Sequence, residues 1–347
     1  MSKLLSRRQF VQMGAILGAG LTLPQIVLGQ EVTPEVPPTS PFEVTGSIGY
    51  VHDPVIIRGE DAYYFFYTGN GIPYRKSTNL VDWTRPFPQS VFTNMPDWIE
   101  AAIPNQQAIW APDISYYNGK YHLYYAVSTF GSNRSVIGLA TNITLNNARE
   151  DYQWVDEGLV IESQTGFNYN CIDPNLVIDQ EGVPWLAFGS YWSGIKMRRI
   201  DYATGKLSTE DETLYSIASR SNTTTAVEAP FIIWRDGYYY LFVSFDQCCQ
   251  GLQSTYRTMV GRSEAITGPY VDADGVPMME SGGTQVTFPS EEYRGPGHCA
   301  VLQDENGTDY IVYHAYAYRR TGQSVLRIDP LVWDAEGWPH IEGQGPA

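Results

Sequence analysis

Short apolar runs bounded by turn residues recur along this chain, and the three-to-four spacing of a helix is scarce. Four runs open alike, at Asp53-Pro54-Val55-Ile56, Ala111-Pro112-Asp113-Ile114, Asp173-Pro174-Asn175-Leu176 and Ala229-Pro230-Phe231-Ile232. Each is followed by a turn at residues 58–61, 118–120, 179–182 or 235–237, and then by an aromatic run. These second runs are Tyr63 to Tyr67, Tyr121 to Ala126, Pro184 to Phe188 and Tyr238 to Val243. A looser fifth copy runs from Gly297 through the turn Asp304-Glu305-Asn306-Gly307 to His314. Run, tight turn, run is the pattern of a β-hairpin. Further strand-like material, such as Val136 to Ala140 and Lys196 to Ile200, extends each unit.

The prolines at 54, 112, 174 and 230 set spacings of 58, 62 and 56 residues. A repeat of that length with several strands per copy is the signature of a propeller. The expected fold class is therefore all-β: a five-bladed β-propeller with its active site at the central hub. A sandwich also has short strands, but predicts no such repeat. In a propeller the first strand of each blade lines the axis, so the residues opening each repeat converge although they are far apart in sequence.

Composition narrows the picture. Hydrophobic residues make up 43% of the 347 positions and charged residues 17%, enough apolar material for a sizeable core. The 25 Tyr and 9 Trp suit strands and also suit stacking on sugar rings. A formal net charge of −16 repels phosphate backbones and argues against a nucleic-acid partner. The start of the chain reads as a targeting segment. Arg7 and Arg8 precede a weakly apolar stretch from Val11 to Leu28, which resembles a Tat-type signal over residues 1–29. Residues 30–42 form a Pro/Thr-rich linker, and 43–347 a single propeller domain. The expected product is an exported monomer, periplasmic or extracellular, with no membrane attachment once the signal is removed. Cys171, Cys248, Cys249 and Cys299 are too few for a disulfide scaffold and fit no zinc spacing. For the adjacent Cys248 and Cys249, two buried thiols are expected rather than a vicinal bond.

Three repeat openings carry an acid: Asp53, Asp173 and Glu228. A carboxylate at a strand start ordinarily caps a turn, but three brought to one hub crowd each other's charge. Crowding and burial raise a carboxyl's pKa, so that one can stay protonated. Glycoside hydrolysis needs such a division, an acid for the leaving oxygen and a base for water. Trp110, Phe130 and Trp192 are candidate sugar platforms, each with an ordinary core role as the alternative.

Taken together, these motifs resemble glycoside hydrolase family 43, specifically its endo-1,5-α-L-arabinanases, over roughly Gly46 to Trp338. The matching pieces are His52-Asp53-Pro54, Asn170 to Asn175, Val227-Glu228-Ala229-Pro230, Cys248-Cys249-Gln250-Gly251 with Ser254-Thr255-Tyr256, and Gly295-Pro296-Gly297-His298. The resemblance implies that Asp53 is the general base, Glu228 the general acid and Asp173 the modulator of its pKa. It also implies inversion by direct displacement, arabinan as the substrate, and a base–acid separation of roughly 6.5–9.5 Å that leaves room for water. Trp110, Phe130, Gly131, Asn170, Cys171, Ile172, Ser190, Tyr191 and Trp192 match substrate-contacting segments. His298 matches a histidine facing a hub calcium ion, mainly through water. Cys171 and Cys299 depart from the family pattern beside the site, and a cross-hub disulfide between them is conceivable. Two other readings use the same platforms. An exo-acting arabinofuranosidase or β-xylosidase would share the carboxylates and differ in groove loops, and a carbohydrate-binding propeller would have no turnover to lose on mutation of Glu228.

Overall fold

The computed structural model describes residues 42–345 apart from 107, 222 and 223. Among these residues the fold is a five-bladed β-propeller, as the repeat predicts. The segment expected to be a signal, 1–29, and all of the expected linker 30–42 except Phe42 lie outside them. Phe42 itself packs on Tyr310, ring centroids 5.6 Å apart, so the propeller includes the last residue assigned to the linker.

Blade one has three antiparallel strands, Val55–Arg58, Tyr63–Phe66 and Tyr74–Ser77. The other four blades have four strands each. Their first strands are Trp110–Tyr117, Asn175–Ile178, Val227–Arg235 and Tyr293–Gln303, and within each blade successive strands pair in chain order. The outermost strand of blade four is only Thr284–Gln285. One six-residue helix, Asp97–Ala102, lies in the connection from blade one to blade two.

Strand alternation explains how the blades adhere. Successive side chains point to opposite faces of a sheet, so each second strand feeds two hydrophobic clusters. Tyr64 and Phe66 enter the cluster shared with blade two, while Phe65 and Tyr67 enter the one shared with blade five. Leu123, Tyr125 and Val127 face blade one, and Tyr124 and Ala126 face blade three. The same division recurs for Leu186 against Ala187, Leu241 against Phe242, and Ile311 against Val312. The five clusters are the five interfaces of the ring. With each large side chain contributing roughly 1.5–3 kcal/mol when fully buried, these wedges hold the ring together. Aromatic runs such as Tyr238 to Phe245 are the second strands because both of their faces are covered.

The ring is closed by its own beginning. Tyr50 N–H donates to the Ser324 carbonyl, and Leu326 N–H donates to that of Ile48, both at about 2.8–2.9 Å. Residues 48–50 thus lie along blade five, while the adjacent Thr45–Gly46 pairs in parallel with Asp82–Trp83, which follows the last strand of blade one, as a separate two-stranded sheet. Among the described residues no helix is long and apolar enough to cross a membrane.

Candidate active site

The same backbone event marks the start of every blade. Asp53, Ala111, Asp173, Ala229 and His298 all have left-handed φ, between 40° and 55°. Side chains other than glycine pay about 1–3 kcal/mol for such a backbone and hold it only when the surroundings over-determine it. For four of the five the preceding blade supplies an acceptor for the residue's own N–H. Ala111 N–H donates to Thr68 Oγ1 at 2.8 Å, and Ala229 N–H donates to Asp173 Oδ2 at 3.1 Å. His298 N–H donates to Ser244 Oγ at 2.8 Å, and Asp53 N–H donates to His314 Nδ1 at 3.1 Å. Register shifts follow at Trp110–Asp113, Glu228–Phe231 and around Gly297. These are β-bulges, which re-aim a side chain, and proline fits them because it has no N–H to place in the ladder.

Asp53, Asp173 and Glu228 consequently line one cavity of about 830 Å³, together with His298. Their surroundings differ. Asp53 Oδ1 faces His298 Nδ1 at 3.0 Å, and its Oδ2 accepts from Thr68 Oγ1 at 2.6 Å. Burial would raise its pKa, but the charge and hydrogen bond of His298, with His314 and His52 nearby, outweigh that and hold the carboxyl well below its usual range. Burial pulls His298 down, yet the adjacent Asp53, with Asp173 and Glu228 beyond, keeps it protonated with a pKa near 9. His314 is buried and neutral; with Nδ1 accepting from Asp53 N–H, its proton belongs on Nε2.

Asp173 and Glu228 lean the other way. Burial drives Asp173 up to about 8, with His298 opposing and Glu228 and Asp53 adding to the rise. Burial also raises Glu228, against hydrogen bonds from Ser190 and Tyr256. Ser190 Oγ donates to Glu228 Oε2 at 2.7 Å. Near neutral pH this interacting pair holds a proton in common, whereas Asp53 is ionised.

Of the sequence-expected contacts, Trp110, Phe130, Gly131, Asn170, Ile172, Ser190, Tyr191 and Trp192 line the same cavity. Phe130 is 81% exposed and Trp192 37%, so both present ring surface to solvent at the cavity instead of joining a core. Cys171 is the exception. Its side chain is fully buried in the cluster between blades two and three, where burial pushes the thiol to about 12 against a contact with Ser163, whose Oγ also accepts from the Cys171 N–H. Cys299 is buried in the cluster between blades four and five, so the two free thiols belong to different interfaces and no cross-hub disulfide forms. The expectation of two thiols at 248 and 249 is also overturned: Cys248 and Cys249 are bonded to each other and line the cavity.

Sequence reading did not single out Thr68, His314 or Tyr256 as functional. Thr68 sits after an aromatic strand, and His314 lies within the apolar strand Asp309–Ala317, where it reads as core. Tyr256 had a usable signal in Gly297, where an added Cβ would lie 2.3 Å from the Tyr256 ring, so a glycine there makes room for that ring.

A propeller whose blade openings deliver three carboxylates of opposed protonation to an aromatic-flanked cavity has the parts that polysaccharide hydrolysis by acid and base requires. The chain belongs to the glycosyl hydrolases family 43, whose model matches residues 47–339. It is similar to the extracellular endo-alpha-(1->5)-L-arabinanase 1 of Bacillus subtilis, 46% identical over 294 residues that cover 83% of this chain and 87% of that one. Among solved structures it resembles a family 43 endo-arabinanase from Bacillus licheniformis, at 48% identity and TM-score 0.79, covering 86% of this chain and 99% of that one. It also resembles an exo-1,5-alpha-L-arabinanase from a bovine ruminal metagenomic library, at 41% identity and TM-score 0.81, covering 87% and 100%.

Proposed function

We propose that this protein hydrolyses internal α-1,5-L-arabinofuranosidic bonds of arabinan with inversion. The observation that carries this reading is the contrast in one cavity between an ionised Asp53 and a proton-holding Asp173–Glu228 pair. Asp53, kept anionic by His298 and Thr68, takes a proton from water as that water attacks the anomeric carbon. Glu228, oriented by Ser190 and Tyr256, gives its proton to the leaving glycosidic oxygen. Asp173 is the other half of the proton-holding pair: like charges this close disfavour double ionisation, and its Oδ2 holds the Ala229 N–H that sets the backbone beside Glu228. The acid and base return to their starting states through solvent. Phe130, Trp192 and Trp110 offer faces for sugar rings, with Asn170, Ile172, Gly131, Ser190 and Tyr191 as further contacts.

A hub calcium ion near His298 belongs to the same proposal. The described groups that cluster as metal ligands are His52, Asp53 and His314. One carboxylate and two imidazoles are poor in the oxygen that calcium takes about six to eight times. With His298 protonated beside Asp53, the set offers little direct ligation, so an ion at the hub would be held mainly through its own water. Such an ion would offset the negative charge of the three carboxylates. Export by a Tat-type signal and a monomeric state complete the reading; the paired arginines and the extracellular designation of the Bacillus subtilis relative support the export.

The test is product analysis on debranched arabinan and on xylan, with and without a chelator. Mixed oligosaccharides from arabinan in the first minutes support the endo reading. Release of a single short product from the outset supports an exo enzyme, the second reading, which the ruminal exo-arabinanase favours. Cleavage of xylan alone overturns both.

A further inference from the structure

The Cys248–Cys249 bond is not used by the acid–base scheme, yet it sits on the cavity wall beside Gln247 and Gln250. Cys249 is exposed and has left-handed φ of 66°, a backbone that a residue with a side chain rarely adopts. The loop is secured at its base and along its length. Asp246 is bracketed by Arg220 at 2.7 Å and Arg257 at 3.0 Å. Gln247 and Thr255 exchange hydrogen bonds, Gln250 N–H donates to Ser254 Oγ, and Gln250 Nε2 donates to Gln247 Oε1. Cys249 N–H donates to Tyr316 Oη at 2.7 Å, so the loop is also bound to blade five.

Such fixation is more than a surface turn needs. It holds an apolar CH₂–S–S–CH₂ unit on the cavity wall beside two glutamine amides that hydrogen-bond each other, a combination suited to the alternating C–H and hydroxyl surface of a pentose ring. Resting on the arabinan reading above, we propose that the Cys248–Cys249 disulfide is a substrate-binding element of the cavity. The bond holds residue 249 in its left-handed conformation, the sulfur face contacts one arabinofuranose unit, and Gln247 and Gln250 address its hydroxyls. Cys171 and Cys299 are buried free thiols. A water-soluble phosphine therefore changes, among the described residues, this bond alone.

The experiment compares KM and kcat on debranched arabinan for the wild type, the wild type reduced by the phosphine, C248S/C249S, and C248A/C249G. The last variant permits the left-handed backbone without sulfur. The expected result is a KM raised roughly tenfold in all three altered forms, the loss of about 1.4 kcal/mol of binding, with kcat changed less than about twofold. Phosphine leaves the two double variants unaffected, and thiol titration confirms the bond in the wild type. An unchanged KM in the reduced wild type overturns the proposal, as does a fall in kcat without a rise in KM, which would mean action through the catalytic carboxylates. Wild-type KM in C248A/C249G overturns the sulfur contact. Should a double variant fail to fold, the reduced wild type decides. Failure of the arabinan reading is separate, because it appears in the wild type as absent arabinan hydrolysis.

Discussion

The openings of blade one and blade four use the same backbone manoeuvre to opposite electrostatic ends. In both, a left-handed residue at the blade opening brings a carboxylate to the cavity: Asp53 is itself that residue, and Glu228 immediately precedes Ala229. Yet Asp53 meets a protonated histidine and a threonine hydroxyl, while Glu228 meets a serine and a tyrosine and shares its charge repulsion with Asp173. The repeat delivers position; the donors supplied by adjoining blades decide charge. Acid and base need not be different side chains or sit on different backbones. They need different neighbours.

The largest effect that would sharpen this contrast is removal of either reactive group. Glu228→Gln and Asp53→Asn should each lower kcat on arabinan by roughly 10²–10⁴, with circular dichroism showing the fold retained. A variant with near-normal turnover would break the assignment. Thr68→Val comes next. It removes the 2.6 Å donor to Asp53 and leaves the Ala111 N–H without its acceptor. A hydrogen bond to a charged group contributes about 1.5–3 kcal/mol, so kcat/KM should fall on the order of tenfold and denaturant unfolding should show a loss of about 2 kcal/mol. Gly297→Ala tests the other side, since its Cβ would strike the Tyr256 ring that hydrogen-bonds Glu228. Overpacking of this kind costs about 1–3 kcal/mol, and a melting temperature equal to that of the wild type would contradict the tight fit.

The smallest effect concerns pH. The Asp173–Glu228 pair is raised, so its protonated form is present below the raised value, for which about 8 at Asp173 sets the scale, and is lost as pH climbs through it. Activity should therefore decline on the alkaline side. Ser190→Ala removes a donor that favours ionised Glu228, so the alkaline limb of kcat/KM should move upward; a downward shift would invert the assignment. The same pair affects stability. Between the ordinary carboxyl range and about 8 the folded protein binds more protons than the unfolded chain, so stability attributable to this pair falls as pH rises across that window.

The blade count and the meeting of residues 53, 173 and 228 were legible because the repeat is written in prolines and aromatic runs, which the pleat and the covered sheet faces demand. What was not legible depends on contacts between blades. Thr68 acts only because the next blade's Ala111 turns its N–H toward it, and nothing local marks it. His314 hides in an apolar strand because its neutral ring is packed like a core residue. Cys171 was misread because adjacency along the chain to Asn170 and Ile172, which do line the cavity, says nothing about which face of the local turn a side chain takes. The short outer strand Thr284–Gln285 has too few residues to show alternation.

The junction between the last blade and the first has its own implication. Asp53 lies on one side of it and two of its three histidine neighbours, His298 and His314, on the other, and a short segment, residues 48–50, adds backbone hydrogen bonds to the apolar cluster that joins the two sides. A molecule warmed until that junction loosens would separate Asp53 from the histidines that keep it ionised while most of its sheet remained intact. Inactivation should then precede melting, and a crosslink engineered across the seam would extend working life at high temperature more than one placed anywhere else on the circumference.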